Sequence, residues 1–123
     1  MTDTYPDIEI YIKRPAVEDI IAWLEERFHV IERKTRGASI ILTLGTGSLE
    51  VVIVENAVKG GYASVWFKRG DMPWSSDAEC TREAFTRFGL EVRCSSGPWQ
   101  EGQDEGGWLR ITGQGESIVN WLT

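Results

Sequence analysis

Residues 39–69 read SIILTLGTGSLEVVIVENAVKGGYASVWFKR, and the fold is decided there. Three apolar runs, Ile40–Leu44, Leu49–Val54 and Tyr62–Phe67, are separated by two glycine-bearing breaks, Gly45–Ser48 and Asn56–Gly61. Short runs of Val, Ile, Leu and aromatic residues between turn residues read as strands, and breaks of this length join strands as hairpins. An antiparallel meander is therefore expected at the centre of the molecule.

Outward from this centre toward the N-terminus, His29–Arg36 reads as a further strand. Its basic residues Arg33, Lys34 and Arg36 mark a sheet edge, where charge discourages pairing with another chain. Before it, Val17, Ile20, Ile21, Leu24 and Phe28 recur at helical spacing as one apolar stripe, with Trp23 at its border. Pro15 is expected at the first helical position, where its missing N–H costs nothing. Asp7–Lys13 alternates, with Ile8, Ile10 and Ile12 on one side and Glu9, Tyr11 and Lys13 on the other, which is the pattern of a half-buried strand.

Toward the C-terminus, Lys68–Pro73 reads as a turn into a second helix. Ser76, followed three residues later by Glu79, fits a capping box, and Gly89 fits a left-handed cap at the other end. Cys80, Ala84, Phe85 and Phe88 form the buried stripe of this helix. Leu90–Cys94 and Trp108–Thr112 alternate and read as strands. Between them, residues 95–107 form an acidic, glycine-rich loop that carries Trp99. Ile118, Val119 and Leu122 give Glu116–Leu122 the pattern of a two-turn helix, too short to hold without docking on the body.

The order β-α-β-β-β-β-α-β-β-α implies an α+β fold: two layers, a mainly antiparallel sheet with the helices packed on one face. Residues 1–123 are expected to form a single domain, large enough to bury about two-thirds of the surface of its unfolded chain. The net charge of −6 argues against a nucleic-acid partner, because binding to a phosphate backbone rests on basic patches that release counterions. Residues 1–6 have neither the basic nor the apolar part of a signal peptide. No apolar run approaches the roughly 20 residues that span a bilayer, so no membrane association is expected. Cys80 and Cys94, without a C-x-x-C spacing, read as free thiols. Together these place the chain in the cytoplasm.

Catalytic patterns are missing from the chain. His29 is the sole histidine, which leaves a histidine-based triad or a multi-histidine metal site short of members. At the end of a helix, its ring is expected near the terminal carbonyls. Gly45 and Gly47 lie between two strands with no phosphate-loop lysine, so they serve a turn. Glu50 and Glu55 end one strand and point to opposite sides, unlike a pair of glycosidase carboxylates. No enzyme activity, cofactor or metal is expected.

What remains is the sheet face away from the helices. Placing the isoleucines of residues 7–13 inward leaves Glu9, Tyr11, Lys13, Glu91, Arg93, Trp108 and Arg110 outward. The central strands are ambiguous, since Leu49–Val54 is apolar on both sides. If Ala63, Val65 and Phe67 face the helices, Tyr62, Trp66 and Lys68 join the outward set, with Ile41 and Thr43 beside them. Tyr, Trp and Arg dominate interaction hot spots, because each pairs a large area with a polar handle. Tyr11, Tyr62, Trp66, Arg93, Trp99, Trp108 and Arg110 are thus the candidate contact residues. Their expected partner is a protein, including a second copy in a homodimer. The alternatives are a small molecule held between this face and residues 95–107, and a face covered by that loop or the chain ends.

Overall fold

The structure is a computed structural model and describes residues 8–45, 49–68, 74, 76–95 and 107–120. The chain runs β1 (Ile8–Lys13), α1 (Val17–Arg27), β2 (Val30–Arg36), β3 (Ser39–Leu44), β4 (Leu49–Val58) and β5 (Tyr62–Phe67). It continues as α2 (Asp77–Phe88), β6 (Val92–Ser95), β7 (Gly107–Thr112) and β8 (Gly115–Asn120). The eight strands form one sheet in the order β2-β3-β4-β5-β1-β6-β7-β8. Every described pairing is antiparallel, so the α+β class expected from the sequence is seen. The meander β3-β4-β5 lies where residues 39–69 put it, and the first strand of the chain is inserted between β5 and β6.

Alternation decides which side chains are buried. Ile8, Ile10 and Ile12 are buried along β1, opposite Phe67, Val65 and Ala63 of β5. Val51 and Ile53 of β4, Val92 and Cys94 of β6, and Leu109 and Ile111 of β7 continue the same apolar surface. Ile20, Ile21, Trp23 and Leu24 of α1 and Cys80 and Ala84 of α2 belong to that same core cluster. Fully burying one such Ile, Leu or Val is worth about 1.5–3 kcal/mol, so this shared cluster carries most of the drive to fold.

Both helices differ slightly from expectation. α1 begins at Val17 with an extended Ala16 before it, so Pro15 lies ahead of the helix rather than at its first position. Arg14, at φ 49°, turns the chain there. Trp23 is fully buried rather than bordering the stripe. α2 has the expected ends: the Ser76 hydroxyl accepts from the Glu79 N–H at 3.2 Å, and Gly89 closes the helix at φ 69°. Between the helices, Glu83 accepts hydrogen bonds from the indole N–H groups of Trp23 (3.0 Å) and Trp74 (3.1 Å). Its carboxylate also pairs with Arg27 Nε at 2.9 Å. Trp74 packs on Phe67 with ring centroids 4.9 Å apart, joining this clamp to the sheet.

One element is of the other type. Residues 115–120 form strand β8, not the start of a helix, and pair with β7 from Gly107↔Asn120 to Thr112↔Gly115. The physical reason is the neighbourhood. Gly115, at φ 119°, completes a tight turn in which the Thr112 hydroxyl accepts from the Gln114 N–H at 3.1 Å. The turn brings the β-branched Ile118 and Val119 onto the open edge of β7. A strand there gains a hydrogen-bond ladder, whereas two turns of helix would gain little. The loop read at residues 95–107 lies outside the described residues over 96–106, since Ser95 ends β6 and Gly107 opens β7. Among the described residues, no helix is long and apolar enough to cross a membrane.

Candidate interaction face

Register places the outward side chains row by row. One row runs Ser39–Val54–Ser64–Tyr11–Arg93–Arg110–Ser117 across seven strands. A neighbouring row holds Lys34, Ile41, Val52, Trp66 and Glu9. This settles the parity of the central strands: Val65 and Phe67 are in the core, while Trp66 shares its face with Tyr11 and Trp108. Tyr11, Trp66 and Trp108 are half-buried, as are Ile41, Val52, Val54 and Val58.

Two polar clusters divide this face. At the first, the Ser64 hydroxyl donates to Glu9 Oε2 at 2.8 Å. Tyr11 lies beside them, and its phenol is pushed up to about 12 from its ordinary value of 10. Burial is the largest cause, followed by the charge of Glu9. At the second cluster, Glu91 accepts from the Tyr62 hydroxyl at 2.8 Å, Arg93 Nε at 2.7 Å and Arg110 Nε at 3.2 Å. Burial alone would raise the carboxyl of Glu91, but these hydrogen bonds and the charge of Arg93 hold it below the ordinary value. The Arg93 guanidinium also lies over the Tyr62 ring, 5.1 Å from its centroid.

Aromatic contacts lie beside the clusters. Tyr11 and Trp108 meet edge to face at 5.7 Å. Trp66 carries Lys68 over its ring at 5.2 Å, and Lys68 in turn pairs with Glu50 at 3.0 Å. A depression of ≈ 430 Å³ opens between Trp66, Tyr11, Glu9, Val52, Val54 and Val58.

The structure therefore brings Tyr11 together with Trp108, and Tyr62 together with Arg93 and Arg110. Trp66 lies opposite Glu9 in the sheet and lines the same depression as Tyr11. Tyr62 is only 4% exposed, and its hydroxyl donates to Glu91, so little of its side chain is open on this face. Trp99 lies outside the described residues. Sequence reasoning missed Val52 and Val54, because residues 49–54 are apolar on both sides and give no alternation to read, and it missed Val58 and Ser64, whose side depends on the shifted pairing of β4 with β5. His29 is exposed; its backbone carbonyl accepts from the Gly45 N–H at 2.8 Å, and no described hydrogen bond involves its ring. Cys80 and Cys94 are buried free thiols, both shifted upward mainly by burial, Cys94 to about 11. A thiol held protonated in this way is a poor nucleophile. Among the described residues, no group of three His, Cys, Asp or Glu side chains is placed to hold a metal.

No protein-family model matches the chain, and no similar curated protein or solved structure is found.

Proposed function

We propose that this chain is a non-enzymatic interaction domain that binds a protein, itself or another, through the sheet face opposite its helices. The reading takes the domain as two layers with one-sided helical cover. What supports this is that the buried residues of α1 and α2 share one core cluster with Ile8, Ile10 and Ile12. The observation that carries the function is the composition of the other face: Tyr11, Trp66 and Trp108 half-exposed, with Ile41, Val52 and Val54 among them. A solvent-facing sheet surface is ordinarily polar. Rings set between fixed ion pairs resemble the centre of an interface, where aromatic anchors exclude water and charges fix the register.

The test is substitution with two readouts. Trp66→Ala and Trp108→Ala should each weaken association, with itself or with a partner, by more than about 1 kcal/mol while the unfolding midpoint stays near that of the parent. Unchanged association with both variants would overturn the reading. The depression beside Trp66 favours a second reading, a small-molecule site in which Glu9 and Tyr11 supply the polar contacts. Saturable quenching of Trp66 by one compound of a metabolite panel, with no protein association, would favour it.

A further inference from the structure

Charge is not spread evenly over this molecule. The whole chain has 19 acidic and 13 basic residues. Among the described residues, the basic side chains on the face opposite the helices are Lys13, Lys34, Arg36, Lys68, Arg93 and Arg110. Against these six stand four acids among the described residues: Glu9, Glu32, Glu50 and Glu91. Among the described residues, cations thus outnumber carboxylates on the one face that also presents rings and valines.

The excess is concentrated at one corner. Lys13 donates its backbone N–H to the Glu91 carbonyl at 2.9 Å, and both Arg93 and Arg110 pair with the Glu91 carboxylate. Two guanidinium groups thereby share a single carboxylate, and Lys13 stands beside Glu91 on the neighbouring strand. Arg93 is largely buried, at 15% side-chain exposure, whereas Arg110 is 36% exposed. Glu91 receives only the Nε of Arg110, and no described hydrogen bond uses its two Nη groups. A guanidinium held at Nε by an internal carboxylate keeps a pair of donors in fixed geometry, the arrangement that recognises a second carboxylate. Trp108 and Tyr11, packed edge to face, lie on the same face within a strand or two of it.

Resting on the proposal that this face binds a protein, we infer that the partner is an acidic segment. It places an Asp or Glu carboxylate on Arg110 and an apolar side chain against Trp108 and Tyr11. A second copy docked face to face would bring the same excess of cations rather than a complementary acidic surface, so it is the poorer occupant. A nucleic acid is poorer still. Its phosphates would meet four fixed carboxylates here and an acidic surface elsewhere.

The experiment is a random-peptide display selection against the full chain, repeated on Arg110→Gln, Arg110→Lys and Trp66→Ala, with the fold of each checked by thermal unfolding. Tyr62 and Arg93 still partner Glu91 in both Arg110 variants, so these variants should fold. Peptides with Asp or Glu next to an aliphatic or aromatic residue should be enriched. Their affinity should fall roughly tenfold or more on Arg110→Gln, the size of a lost charge-assisted hydrogen bond, and less on Arg110→Lys. Enriched peptides that are basic or uncharged, or that bind Arg110→Gln as well as the parent, overturn the acidic-partner inference. If those peptides still lose affinity on Trp66→Ala, the interaction face itself stands. No enrichment above background removes both. Tighter binding of a 12-nucleotide single strand than of any peptide, or self-association that saturates the face, also overturns the inference in favour of that occupant.

Discussion

Glu91 is the residue on which the polar half of the face depends. With 11% side-chain exposure, it is the shared acceptor for a phenol and two guanidinium groups. Glu91→Gln should lower stability by about 1.5–3 kcal/mol in urea unfolding at pH 7, since hydrogen bonds to charged groups are worth about that much. The pH dependence follows from the direction of its shift. Its folded carboxyl is held below the ordinary value of 4.5, so the stabilisation is full above that value and is lost as pH falls through the folded one. The gap between parent and Glu91→Gln should therefore narrow from pH 7 to pH 3. A gap of equal width at both would show that the carboxylate charge contributes nothing there.

At the scale of elements, the join between α1, α2 and Trp74 rests on Glu83. Glu83→Ala leaves the indole N–H groups of Trp23 and Trp74 buried without an acceptor, at about 1–3 kcal/mol each. A loss of about 2–4 kcal/mol in urea unfolding is expected, with a smaller loss for Glu83→Gln, whose carbonyl can still accept. A loss below about 0.5 kcal/mol would show that the indoles find water instead. Elements such as α1 and the meander were legible in the sequence because their signals are local: one stripe at helical spacing, runs between glycines, a serine cap. β8 was not. Ile118 and Val119 fit two turns of helix or one strand equally well, and only the adjacent edge of β7 decides between them. The Glu83 clamp was invisible for a related reason, since its members are far apart in sequence and nothing in their order announces contact.

Across the whole molecule, helices and sheet divide the labour. Buried residues of the sheet share one apolar core cluster with α1 and α2, and the side chains of opposite parity, on its second face, include Tyr11, Val52, Val54, Trp66 and Trp108. Half of that second face was readable from alternation in β1, β6 and β7. The other half needed the pairing Val52↔Trp66 to fix which side of β4 is out. The central claim, that this second face presents its indoles to a partner, is tested most directly by hydroxyl-radical footprinting of the tryptophans in the full chain. Trp66 and Trp108 should be oxidised several-fold faster than Trp23 and Trp74, which are 2% and 7% exposed. Oxidation of Trp66 and Trp108 as slow as that of the two core indoles would contradict the account.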